Sequence, residues 1–197
     1  NKQLVLNCMT KSLLLLNQLK IIVCIVFFLC SSNVFAKVVL SKVHLLNYTD
    51  TYGNLYFPRF SDLQLPSPLD VHGSLIASHT KISPLPSPLK VEGNADLSYT
   101  NLTFLPSVLK VGGYLNLAHS QVNRLPEGLM IPGDLSLIST PITYLPNNLF
   151  VGRNLYLNNT KLTYLPLNLK VGGNLYLSGS KIKEIPESAQ IKGRVIN

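Results

Sequence analysis

The chain has 197 residues, of which 46% are hydrophobic and 13% charged, and 17 Lys plus Arg against 9 Asp plus Glu leave a net charge of +8. That length allows one ordinary domain or one short repeat array, and the apolar content excludes a highly charged disordered chain. The 12 Gly and 13 Pro keep no triplet period, which excludes a collagen-like helix.

Residues 1–36 are unlike the remainder. They hold all three Cys and none of the Gly or Pro. Ile21 to Leu29 is an unbroken apolar run, with Lys20 before it, Ser31-Ser32-Asn33 after it, and then Val34-Phe35-Ala36. A basic region, a short apolar region and a small-residue site in that order predict a secretory signal peptide cleaved after Ala36. The strict run is too short to cross about 30 Å of hydrocarbon. An anchor made of the wider stretch from Leu13 to Phe35 is the alternative, and only then is a membrane expected as a partner. Once the segment is cleaved, the protein is secreted or periplasmic and has no Cys, so disulfides, thiol nucleophiles and Cys-based zinc sites drop out together.

Residues 37–64 predict an N-terminal cap. Tyr52-Gly53-Asn54-Leu55 fits the pattern that follows, as one imperfect coil, and Phe57-Pro58-Arg59-Phe60 breaks it. From Leu65-Pro66 to Ile185-Pro186 the chain then repeats every 20 residues without insertion. Val71, Val91, Val111, Ile131, Val151, Val171 and Ile191 form one column, and Leu69 to Leu169 form another. A glycine column runs from Gly73 to Gly193, broken by Arg153. Inward aliphatic columns begin at Leu75 and Ile82, and a hydroxyl column runs Thr80, Thr100, Ser120, Thr140, Thr160, Ser180.

This pattern predicts a right-handed solenoid over residues 65–197, with no second domain after it. The two-residue alternation through 71, 73, 75 and 77 predicts a short strand in each coil, stacked into a parallel sheet on one face. Leu-Pro places an extended, irregular return opposite the sheet, because proline removes a backbone donor and fixes φ. The hydroxyl column is expected to satisfy backbone groups of the turn beside it.

The stretch GNLYLSGSKIKEIP at 173–186 resembles the LxLxxNxLxxLP segment of the leucine-rich repeat family. Leu175, Leu177 and Ile182 take the leucine positions and Ser180 the asparagine position. The 20-residue length is similar to the shortest, bacterial type, in which an extended return replaces the helix. Two departures stand out: Thr or Ser replaces the asparagine ladder, and a V-x-G element precedes the strand. A right-handed parallel β-helix of 20-residue coils is the alternative architecture.

The sequence contains no phosphate-binding loop, no GxSxG, no HExxH and no Cys-based metal motif. No catalytic residue, cofactor or metal is therefore expected, and the chain reads as a non-enzyme. His79 and His119 share a phase with Tyr99 between them, roughly 10 Å apart at about 4.8 Å per strand, which is too far to share one metal ion. Lys90, Lys110 and Lys170 read as rim lysines, and no nucleic-acid partner is expected. The outward positions are rich in Asn, Ser, Tyr and His. Among them Tyr99, Tyr114, His119, Tyr156 and Tyr176 are the expected anchors for a protein or glycan partner, since interface energy concentrates in aromatic residues that can be covered. The expected function is a non-catalytic binding module. A structural or self-assembling surface element, or the recognition fragment of a larger enzyme or effector as the resemblance suggests, are the other readings.

Overall fold

Stacked aliphatic columns hold successive coils in register. In the computed structural model, which describes residues 38–197, they build a parallel β-solenoid of about 7 turns with roughly 20-residue spacing. The signal-peptide reading of residues 1–36 lies outside the described residues. A solenoid of this shape is common to leucine-rich repeats and parallel β-helices, and it assigns the chain to neither.

Each coil contributes two short strands where the sequence suggested one. The longer sheet contains Leu55–Tyr56, Leu75–Ile76, Ala95–Asp96, Leu115–Asn116, Leu135–Ser136, Leu155–Tyr156, Leu175–Tyr176 and Val195–Ile196. Its seven parallel steps of about 4.8 Å make it roughly 34 Å long. A second sheet is formed by Leu69–Val71, Leu89–Val91 and Leu109–Val111, and after an interruption by Met130–Ile131, Phe150–Val151, Lys170–Val171 and Gln190–Ile191.

The glycine column makes the corner between the two sheets, and sterics explain why the strand bends there. Corner stacks on corner, backbone against backbone: the N–H of Gly93 donates to the Gly73 carbonyl at 2.9 Å, and that of Gly113 to Gly93 at 2.8 Å. A Cβ on Gly133 would lie 2.7 Å from the Gly113 carbonyl carbon and from the Tyr114 nitrogen, so the backbone would have to shift to admit one. The alternation seen in the sequence is therefore two strands on either side of a bend, with glycine at the bend.

The core fills the space between the sheets and the returns. Leu135, Leu137, Ile142, Leu149, Val151, Leu155 and Leu157 are all fully buried. The returns carry no helix, as the prolines predict. They also bury Leu85, Leu125, Leu145 and Leu165 of the Leu-Pro pairs.

At the N-terminal end Val38–Val39 pairs with Leu63–Gln64, and a 3-10 turn spans His44–Tyr48. The imperfect coil is a full member of the long sheet, with Leu55 opposite Leu75, so the solenoid begins before residue 65. After the disruption at Phe57-Pro58-Arg59-Phe60 the left-handed turn residue is Phe60, with φ of 65°, one position later than the column of His79. Among the described residues no helix is long and apolar enough to cross a membrane.

Leu157→Ala is expected to lower stability by about 2–5 kcal/mol, because the cavity it opens is enclosed by neighbouring coils. Urea unfolding followed by far-UV circular dichroism measures this, and a loss below about 1 kcal/mol would contradict a tightly packed core.

Candidate functional site

The residue after each corner glycine supplies a second repeating bond. Asn54 Oδ1 accepts the Ser74 N–H at 2.7 Å, Ser74 Oγ accepts the Asn94 N–H at 3.1 Å, and Asn94 Oδ1 accepts the Tyr114 N–H at 3.0 Å. Further on, Asp134 Oδ1 accepts from Asn154, Asn154 from Asn174 and Asn174 from Arg194, each at 2.8 Å. A side-chain acceptor on one coil thus satisfies a backbone donor on the next, where the bend takes that donor out of the sheet. Asp50 starts the series, accepting the N–H groups of Tyr52 and Asn54 and the Asn54 side-chain amide. Those bonds, the Asn54 side chain foremost, hold the Asp50 carboxyl below the ordinary aspartate range.

Asn94, Asn154 and Asn174 are among the outward asparagines that the sequence alone presents as display positions. They are scaffold, and so are neighbours on the strand face. Asp96 Oδ1 accepts from the Ser98 backbone, the Ser98 hydroxyl and the Asn116 amide, at 3.1, 2.7 and 3.1 Å. The hydroxyl column behaves as expected: Thr80, Thr100, Thr140 and Thr160 are buried and donate to the carbonyl three residues back at 2.7–2.8 Å. The final member, Ser180, has a buried hydroxyl without a partner.

The ladder fails at one place. Tyr114 has no acceptor on a short stem, so the Asp134 N–H lacks the side-chain acceptor that the other corners supply. The same seam interrupts the second sheet. Glu92, Gly112, Gly152, Gly172 and Lys192 each donate a backbone N–H to the previous coil, to Val71, Val91, Ile131, Val151 and Val171. The corresponding residue at the seam is Pro132, which has no N–H to give.

The five predicted anchors fall into three columns. Tyr99 and His119 occupy the turn after the long sheet, with His79 beside them. All three adopt left-handed backbone, with φ of 56° at His79, 55° at Tyr99 and 58° at His119. Their rings stack at 4.3 and 4.4 Å, tilted by only 6° and 12°, so the surface column read from the sequence is a continuous aromatic stack. In the later coils the same turn position carries Ser139, Asn159 and Gly179.

Tyr156 and Tyr176 stand opposite each other in the long sheet, ring on ring at 4.6 Å and 11°. The Asn174 amide reaches the Tyr176 hydroxyl at 3.4 Å. Tyr114 stands alone at the corner, and a groove of about 300 Å³ lined by Tyr114, Asn116, Asp134, Ser136, Ile138 and Tyr156 joins it to the stacked pair. Tyr99 and His119 do not line that groove. Burial pushes the phenols of Tyr114 and Tyr156 up, with Asp96 adding to the effect at Tyr114 and Asp134 at Tyr156. Both therefore remain hydroxyl donors at neutral pH. Among the described residues no group of three or more His, Cys, Asp or Glu is placed to hold a metal ion.

Sequence reasoning missed the ladder and with it the exceptional standing of Tyr114. The signal was present as the column Asn54, Ser74, Asn94, Asp134, Asn154, Asn174 with Tyr114 in its midst. No known protein family, curated protein or solved structure matches the chain.

Restoring the ladder by Tyr114→Asn should raise stability by about 1 kcal/mol, and removing a rung by Asn154→Ala should lower it by a similar amount. Urea titrations of the two variants measure both; equal and opposite signs are expected. A depressed folded-state pKa at Asp50 gives stability that is present above the unfolded-state value of about 3.9 and lost as pH falls through the lower folded value. Thermal melts should therefore show wild type above Asp50→Asn at neutral pH, with the gap closing in acid.

Proposed function

We propose that the chain is a secreted or periplasmic, non-catalytic recognition module of leucine-rich repeat type, which binds a protein or glycan through the outward face of its long sheet. The observation that carries this reading is the stacked pair Tyr156–Tyr176 beside the groove that runs to Tyr114. Most polar side chains on this face already bond to the scaffold, which leaves the aromatic rings as its largest free contact surface. Two rings held parallel by the sheet lose little rotamer freedom when a partner covers them. Large amphipathic area at low entropic cost suits recognition.

Replacing both Tyr156 and Tyr176 by Ser should leave the far-UV spectrum unchanged and weaken binding by about 1 kcal/mol or more for each true anchor. The measurement is a pull-down from extracellular or periplasmic extract with wild type and the double variant as bait. Recovery of the same partners in the same amounts by both would show that this face is not the binding surface. If neither wild type nor the double variant recovers anything but the bait, a structural, self-assembling role is favoured.

A further inference from the structure

Three departures from the repeat meet at one cavity. Tyr114 stands where a ladder acceptor belongs, Pro132 where an N–H ties the second sheet across coils, and Arg153 where the corner needs glycine. They come from three successive coils, yet all three line a single cavity of about 290 Å³ together with Asn94, Gly112, Gly113, Gly133 and Asp134. Two of the changes remove hydrogen bonds from a scaffold that keeps them at its other seams. When local rules are broken together at one cavity, the physical reading is a site.

We propose that this cavity is a binding pocket for a neutral sugar residue of a glycan. The inference rests on the recognition reading above; it narrows the partner to a glycan with a neutral sugar and adds a pocket to the strand face. Asp134 holds the Asn154 N–H through Oδ1, which leaves Oδ2 for a ligand; Arg153 offers a guanidinium, and none of the ion pairs among the described residues involves either residue. A bare anion would meet Asp134 and a bare cation would meet Arg153. A sugar hydroxyl donates and accepts at once, so it satisfies both charges without adding one. The Asp134 N–H, deprived of its ladder acceptor by Tyr114, is a further donor for a hydroxyl oxygen. Tyr114 is 38% exposed, and its ring gives the C–H face of a pyranose an apolar surface to lie on. The groove on the strand face shares Tyr114 and Asp134 with this cavity and continues to Tyr156. A second sugar unit therefore has a path toward the Tyr156–Tyr176 stack.

The repeat itself supplies the test variants. Tyr114→Asn and Arg153→Gly each restore the residue found at the other corners, so they should keep or raise the melting temperature while dismantling the pocket. The full chain is titrated calorimetrically with cellohexaose, chitohexaose, maltohexaose and mannohexaose to millimolar concentration, and separately with sulfate and with a mixture of free amino acids. The expected result is that at least one hexaose binds wild type and that each restoring variant loses about tenfold or more in affinity. In amide NMR spectra of wild type the Asp134 N–H should shift on addition of that hexaose, a readout that does not depend on how the variants fold. Absence of binding by all four hexaoses, or binding of sulfate or amino acids in their place, overturns the proposal. If the restoring variants bind like wild type while the Tyr156/Tyr176 double variant does not, the pocket is wrong and the strand-face reading stands. If the reverse holds, the pocket stands and the strand face does not.

Discussion

The stacking of each corner directly on the corner before it is the constraint on which the rest of the molecule depends. At the bend the backbone leaves the sheet, so its donors need other acceptors, and coils about 4.8 Å apart leave little space for a Cβ between them, which among the seven stacked corners from Gly73 to Gly193 only Arg153 carries. Glycine answers the steric demand and the short polar residue after it answers the hydrogen-bonding one. Both answers work only if the next coil presents the same residue at the same height. A single insertion would shift every later position by one and turn core leucines to solvent. The unbroken 20-residue step is thus a consequence of how the corners stack as much as of how the core packs.

Regularity of this kind divides the surface into positions that are committed and positions that are not. Asn94, Asn154, Asn174, Asp96 and Asn116 look like display residues in the sequence, but each is tied to backbone or side chain of its own or the neighbouring coil. The aromatic residues are different. Tyr99 adopts left-handed backbone with φ of 55°, at a cost of roughly 1–2 kcal/mol relative to glycine, although Asn159 and Gly179 fill the equivalent turn with residues suited to it. The stacking of Tyr99 between His79 and His119 offsets part of that cost. Identical spacing of coils is what brings the rings face to face, and the same spacing stacks Tyr156 on Tyr176.

Much of the fold was legible because its determinants are repeated and chemically distinct. Aliphatic columns at 71, 75 and 77 could only be core, and Leu-Pro at a fixed step could only be a return without a helix. Thr80 and its copies were readable as turn-satisfying hydroxyls because catalysis does not call for evenly spaced duplicates. Two features were hidden by degeneracy. The pattern of 71, 73, 75 and 77 has the same alternation whether the chain runs straight or bends at 73, and only the stacking of glycine on glycine distinguishes the two. The Asn, Ser and Asp ladder was hidden because short polar residues are equally at home on a solvated strand face, and the acceptor role appears only when the next coil's N–H is in place.

The candidate site was legible only as a set of residue types. Tyr99, Tyr114, His119, Tyr156 and Tyr176 were all visible as exposed aromatics, but the sequence placed them on one face without separating turn, corner and strand. What distinguishes Tyr114 is the bond its position fails to make. A residue in a repeat array carries two kinds of information, what it is and what its column requires, and the second is unavailable until the column's bond is known. Once Asn94 is seen to hold the Tyr114 N–H and Asp134 to hold the Asn154 N–H, the missing bond between Tyr114 and Asp134 becomes conspicuous. Pro132 and Arg153, each unremarkable as a surface residue, then gain meaning from lying beside it. Because the other seams show what the scaffold needs, the bonds absent at this one measure what the protein gives up there, and the cavity between Asn94 and Arg153 is where that space goes.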